Sequence, residues 1–267
     1  MTAPDLKSVV WVASYPKSGN TWVRFLVCNL VFGPQESAAA LNRLAPDIHE
    51  LAGTPAPPQG LTFLKTHFPH SHRMPLASNT GGAVYVVRHP ADAMLSNYHY
   101  ARRNGSAADL TLEQYLQRYL TARGDPRWKE LGIGAWDDHV SSWQQPGHDF
   151  PVLLLRYEDL LWDAAAGARG ICAFLGLQRS AQEVAAAVDG CTFERMRQIE
   201  ESDIAQHRVG IFYKPYLQSS IQSGIRFMRA GRAGEARTAL TPEQYLRIGA
   251  TFGPVMQRLG YDRQAGT

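Results

Sequence analysis

Residues 15–22 read YPKSGNTW, with Lys17 two residues before Gly19. A lysine in a tight turn that opens a helix is suited to hold a phosphate. Backbone N–H groups and the positive end of the helix dipole face the anion, and the lysine adds a full charge. The Walker A pattern GxxxxGK[ST] puts a glycine first and the lysine after the second one, so the order here is reversed. This loop is expected to grip phosphate in a way that differs from a common ATPase. Lys65 and His67 stand two apart in an extended stretch, and alternation sends their side chains the same way. A histidine with an ordinary pKa near ~6.5 is a candidate general base at neutral pH. Arg88 is suited to bidentate phosphate binding, with Ser96 two turns on as a further donor. The plain alternative for Arg88 is an ion pair with Asp92. In RYEDL (156–160), Tyr157 either stacks on a base or packs.

These residues each follow a short apolar run, at 9–14, 61–65, 83–87 and 152–156. Helical spacing occupies the intervals, for example 90–102, 111–122, 134–145 and 164–175. Near-continuous apolar strands alternating with helices predict an α/β fold, three layers with a mainly parallel central sheet. Ligands in such sheets lie beyond the carboxyl ends of the strands, where all four clusters fall. After the first strand, Asn20 or Thr21 is expected to cap a helix. The stretch AGTPAPPQG (52–60) reads as a loop. Residues 201–238 are polar and weakly periodic, too long for static loop, and predict a lid or disorder. A last helix starts at Thr241 as cap with Pro242 in its first position. No linker is evident, so 1–267 is expected to be a single domain.

Composition bounds the function. The 267 residues are 45% hydrophobic and 19% charged, as in soluble globular proteins. A net charge of +3 and pI near 8.8 suit an anionic ligand without pointing to nucleic acid. Cys28, Cys172 and Cys191 have no pairing or metal spacing and read as reduced thiols. The N-terminus lacks a signal-peptide pattern and no apolar run is long enough to cross a membrane, so a cytoplasmic protein is expected. No residue cluster with metal-ligand spacing is present in the sequence, and no metal is expected.

The motifs also carry a family resemblance. YPKSGNTW (15–22) resembles the 5′-phosphosulfate loop, YPKSGTTW, of the soluble sulfotransferases that use 3′-phosphoadenosine 5′-phosphosulfate (PAPS). VVRHPADAMLSNYHY (86–100) resembles that family's 3′-phosphate segment, and KTHFP (65–69) the segment bearing its catalytic histidine. RYEDL (156–160) matches another recurrent stretch, and FMRAGRAGE (227–235) resembles the late FMRKGxxGDW segment. The matches are collinear from residue 9 to about 237.

The resemblance implies a P-loop-like sulfotransferase fold, PAPS as donor and adenosine 3′,5′-bisphosphate (PAP) as product, with no metal. It implies that Lys17, Ser18, Gly19, Asn20 and Thr21 hold the 5′-phosphate, and that Trp22 and Phe193 stack on the adenine with Tyr157 nearby. Arg88, Ser96 and Arg229, helped by the backbone of Gly231, would hold the 3′-phosphate. His67 would be the general base, with Lys17 and Lys65 neutralising charge on the leaving oxygen. The acceptor would be a small-molecule hydroxyl, with no nucleic-acid partner or membrane insertion. Phe68, Tyr98, Tyr100, Phe212, Tyr213 and Tyr216 are candidates for its pocket. The chain departs from the pattern at Asn20, at Ala230 (usually lysine) and at Ala236 (usually tryptophan). Arg226 or Arg232 is expected to compensate for the missing lysine. The dimer motif KxxxTVxxxE is reduced to Arg237 and Thr241, leaving a monomer or a homodimer. The Ala- and Arg-rich composition points to a bacterial enzyme. A P-loop kinase and a non-catalytic adenosine bisphosphate binder are the competing readings.

Overall fold

The computed structural model describes residues 8–51 and 60–261, so nearly all of the 52–60 loop and of the N-terminal stretch lies outside the described residues. Four parallel strands, β1 (Val9–Ala13), β2 (Thr62–Thr66), β3 (Thr80–Val87) and β4 (Val152–Arg156), form one sheet in the order β2-β1-β3-β4. The helices of the first half are α1 (Asn20–Phe32), α2 (Ala38–Leu44), α3 (Pro90–Arg103), α4 (Leu112–Ala122), α5 (Pro126–Glu130) and α6 (Trp136–Trp143). Those of the second half are α7 (Tyr157–Trp162), α8 (Ala164–Leu175), α9 (Ala181–Asp189), α10 (Phe193–Ala205), α11 (Gln218–Gln222), α12 (Glu235–Ala239) and α13 (Pro242–Arg258).

Alternation along the strands builds the three layers. Val9, Trp11, Ala13, Leu64, Tyr85 and Val87 face a core shared with α3, α4, α6 and α13. Val10, Val12, Phe63, Val84 and Val86 face a second core shared with α1, α8 and α9. Every residue of β1 is fully buried, and each such aliphatic side chain contributes on the order of 1.5–3 kcal/mol. The loop after β1 therefore leaves from the most firmly held strand of the sheet. The α/β fold expected from the sequence is the one observed.

Several local expectations are corrected. β3 starts at Thr80 rather than 83, because the pair Gly81-Gly82 hides its first residues from a propensity reading. RYEDL is not a strand end throughout: Tyr157 already opens α7. Residues 201–205 complete α10, so the segment read as 201–238 begins inside a helix. Short helices α11 and α12 and the buried side chains of Phe212, Tyr213, Leu217 and Ile221 structure much of the rest. Thr241 does cap α13, in a capping box with Gln244.

Candidate active site

The carboxyl ends of the strands open on one cavity of about 380 Å3. Lys17, Gly19, Asn20, Thr21, Trp22, Lys65, His67, Arg88, Ser96, Tyr157, Phe193, Arg229 and Gly231 all line it. Among the residues expected to act in catalysis or on the donor, Ser18 is the exception: it is fully buried, does not line the cavity, and its Oγ has no hydrogen-bond partner.

The loop after β1 is built to leave amides free. Gly19, not Asn20 or Thr21, is the N-cap of α1, with φ 98° and no side-chain cap. The first intrahelical bond joins the Val23 amide to the Gly19 carbonyl, which leaves the earlier amides of the turn without helical partners. The Asn20 side chain faces the sheet and donates to the Val12 carbonyl at 3.0 Å. Asparagine at this place thus locks helix to strand, and any contact with an anion falls to its backbone. A Cβ on Gly19 would lie 2.5 Å from the Tyr157 ring, so glycine is required by both φ and space. Lys17 itself has φ 70°, a conformation that costs a non-glycine residue about 1–3 kcal/mol and marks functional loops. Its Nζ sits 4.2 Å from the Tyr100 ring centroid and 4.7 Å from that of Phe227. Burial, with Arg103, Arg88 and Arg229 nearby, lowers its pKa to about 7.

At one end of the cavity Arg88 donates to the Arg232 carbonyl at 2.9 Å and lies over the Tyr157 ring at 4.5 Å. Its Nε is buried without a partner. The ion pair with Asp92 exists but is long, 3.8 Å. Asp92 instead accepts from the amides of Gly234 and Ala236 at 2.6 and 2.9 Å, which fastens the late segment to α3. Arg229 pairs with Glu235. Gly231, at φ 62°, lies so close over Phe193 that a Cβ would come 2.2 Å from its ring. Trp22 meets Tyr157 edge-on at 5.6 Å. Ala230 lines the cavity, whereas neither Arg226 nor Arg232 does. Arg226 donates to Ile221 and Arg232 pairs with Glu235, so neither is placed to replace the missing lysine.

In the middle stands His67. Its Nδ1 is 2.7 Å from the Ser14 carbonyl, which can only accept, so Nδ1 carries the proton and Nε2 keeps its lone pair. Burial and the neighbouring Lys65 push its pKa well below 6.5. The ring is held from behind. His139, fully buried, bridges the Tyr85 hydroxyl (2.8 Å) and the His67 carbonyl (3.0 Å). The His67 amide donates to His49 Nε2 at 2.8 Å, and α6 fixes the next residues through Trp143 Nε1 to the Phe68 carbonyl. Lys65 is not free. Its Nζ pairs with Asp47 at 2.7 Å, and burial lowers its pKa to about 8 against the pull of that carboxylate.

Asp47, His49, His139, Phe227 and Arg103 went unnoticed as site residues in the sequence. None sits in a spaced motif with the residues it serves; Asp47 reaches Lys65 across an isolated bridge between a loop and β2. Of the six aromatic candidates for an acceptor pocket, only Tyr100 and Tyr216 line the cavity. Tyr98, Phe212 and Tyr213 are buried, Phe212 stacked on Phe25 at 6.3 Å, and Phe68 packs half-buried against the core. The remaining wall is Trp128, Leu131 and Ile133, with His49, Glu50 and Lys214. Among the described residues no group of three or more His, Cys, Asp or Glu is placed to hold a metal, and no helix is long and apolar enough to cross a membrane.

Comparison with known proteins adds the following. A family model described as "Sulfotransferase domain" matches residues 7–260. The amine sulfotransferase of Oryctolagus cuniculus is 27% identical over 263 residues, covering 93% of this chain and 80% of that protein. Sulfotransferase 1A1 of Canis lupus familiaris is 26% identical over 269 residues, covering 93% and 83%. Among solved structures, retinol dehydratase in a complex with retinol and PAP superimposes with a TM-score of 0.70 at 20% identity, covering 95% of this chain and 82% of that one. A mouse sulfotransferase complexed with PAP gives 0.67 at 20% identity, covering 96% and 86%.

Proposed function

The chain belongs to the sulfotransferase domain family and is a sulfotransferase, and from that premise we propose that it moves the sulfuryl group of PAPS to a hydroxyl of a small-molecule acceptor. The observation that carries this reading is His67. Its free Nε2 shares a cavity with the uncapped N-terminus of α1, Lys17 and the partly unsatisfied Arg88. A base and a set of anion-binding groups in one cavity fit proton removal beside a phosphosulfate.

Fit to the donor rests on this chain's own residues. The free amides of Gly19 to Trp22 and the Lys17 ammonium suit the 5′-phosphosulfate. Arg88, Ser96 and Arg229 suit the 3′-phosphate, Trp22, Phe193 and Tyr157 the adenine. Asn20 and Gly231 contribute through backbone, and the unpartnered Ser18 Oγ is left for the 5′-phosphate. When bound, the donor supplies an activated sulfuryl group. His67 Nε2 then takes the acceptor proton, and Lys17 offsets charge growing on the leaving oxygen by positioning and electrostatics. Lys65 acts together with Asp47, which holds its ammonium and tempers its charge.

The retinol and PAP complex of a structural neighbour supports an apolar, hydroxylated acceptor. A P-loop kinase is disfavoured, since no GK[ST] sequence is present to place Mg2+. Titration with PAP and with ATP, without metal, tests the donor; transfer of labelled sulfate to simple phenols tests the reaction. Tight PAP binding, weak ATP binding and sulfated phenol are expected. ATP binding as tightly as PAP would refute the donor assignment.

We further propose that the chain acts as one domain whose late segment, within 201–238, closes over both substrates. Closure completes the 3′-phosphate site and keeps water from the activated sulfate. Trypsin is expected to cut at Arg226, Arg229 or Arg232 rapidly in the free enzyme and several-fold more slowly with saturating PAP. Equal rates would remove the lid.

A further inference from the structure

The cavity holds more positive charge than the proposed donor site uses. Lys65, Lys214 and Arg229 are each within ion-pair distance of a carboxylate: Asp47, Glu50 and Glu235. Arg88 reaches Asp92, and Arg24 is taken up by the Ala45 and Leu41 carbonyls and Asn42. Apart from Arg24, Lys17 and Arg103 are the lining cations with no carboxylate within ion-pair distance among the described residues. Lys17 belongs to the phosphosulfate loop. Arg103 has no such assignment.

Arg103 is 4% exposed, and its Nε and Nη2 are buried without any hydrogen-bond partner. An unsatisfied buried guanidinium is costly, on the order of several times the net value of one ordinary hydrogen bond. The charge of Glu200 acts on it, but both Glu200 oxygens are engaged by the amides of Phe227 and Met228, at 2.5 and 2.9 Å. Position along α3 tells which ligand it meets. Ser96, Tyr100 and Arg103 follow at helical spacing on the cavity side, and Ser96 to Arg103 is a rise of roughly 10 Å. Tyr100 lies against Lys17 and Trp128. Arg103 thus stands beyond the lysine, away from the 3′-phosphate groups. Trp128 stacks on Tyr100, one turn before Arg103, and Leu131, Ile133 and Tyr216 line the same cavity. Both cations lie near the Phe227 ring, Lys17 Nζ 4.7 Å and the Arg103 guanidinium 5.9 Å from its centroid. Ser220 Oγ, donating to the Arg103 carbonyl at 2.6 Å, ties this last turn of α3 to the late segment.

We propose that Arg103 anchors an anionic group, such as a carboxylate, on an acceptor whose aromatic or apolar body lies against Trp128, Leu131 and Ile133. The inference rests on the sulfotransferase reading above and adds the acceptor's charge to it. An acidic acceptor must approach a polyanionic donor, and a buried guanidinium offsets that repulsion while fixing the acceptor bidentately.

The test is a matched acceptor series: para-ethylphenol against para-hydroxybenzoate, para-hydroxyphenylacetate and para-hydroxyphenylpropionate. At least one acid is expected to exceed the neutral phenol in kcat/KM by about tenfold or more, as for hydrogen bonds to a charged group. In Arg103→Met that ratio is expected to fall to about one, chiefly through KM for the acid. Arg103→Lys should recover part of it. PAP titration checks that each variant is folded and that the donor site is intact. Transfer to all four with no preference for an acid, or a preference that survives in Arg103→Met, overturns the proposal and leaves the sulfotransferase reading standing. No transfer to any of them, despite PAP binding, overturns the phenol reading and this inference together.

Discussion

His67→Ala is expected to lose turnover by roughly 10²-fold or more, the range for removing a positioned general base, while its affinity for PAP stays within a few-fold. The split follows from geometry: Nδ1 is committed to the Ser14 carbonyl and Nε2 is the nitrogen left with a lone pair. A base contacts the acceptor, not the phosphates. The pH dependence carries the same signature. A base works when unprotonated, and burial holds the His67 pKa well below 6.5. The acid limb of kcat/KM should therefore lie below that value rather than at it. Lys17 works when charged, and its pKa in the free protein is lowered to about 7. The alkaline limb of kcat/KM should accordingly start near 7 and move upward in kcat, where bound phosphate favours the ammonium. A His67→Ala enzyme that keeps most of its kcat would remove His67 from the mechanism.

Arg88→Ala is expected to weaken PAP by about 1.5–3 kcal/mol, roughly 10–150-fold, the range for hydrogen bonds to a charged group. Adenosine 5′-phosphate, lacking the 3′-phosphate, should be barely affected. The prediction rests on the Arg88 Nε, which is buried with no partner in this structure, and so is free for an anion. Arg88 also holds the Arg232 carbonyl and covers Tyr157. Equal weakening of both ligands, measured by titration calorimetry, would mean that those structural contacts dominate.

The sequence revealed the sheet and the residues at the strand ends of the cavity far better than those of its far wall. β1 and the residues after it follow local rules: a β-branched run, a Pro/Gly turn, then helical spacing. Lys17, His67 and Arg88 each stand close behind a strand, so identifying the strands located them. What remained hidden depends on distant partners. Asp47 meets Lys65 and His139 meets His67 across 18 and 72 residues, and no local pattern encodes such pairs. The cap of α1 was misread because Asn20, a good cap by type, is drawn to the Val12 carbonyl, and Gly19 takes the turn. Phe212 and Tyr213 look like lid aromatics in a polar stretch, yet they are buried.

The two ends of the cavity are also made of different material. The end proposed for the donor is set by strand termini and the starts of α1 and α3, which adjoin the two cores. The far wall comes from connections: Trp128 in the five-residue α5, Leu131 and Ile133 in the loop after it, Asp47 to Glu50 before β2, and Lys214 to Leu217 between helices. Loops of this kind accept substitutions, and even changes of length, at small thermodynamic cost. The enzyme is thus a fixed engine with an exchangeable front. Libraries confined to the exposed positions Leu131 and Tyr216 are expected to alter what is sulfated while leaving the fold and PAP affinity close to wild type.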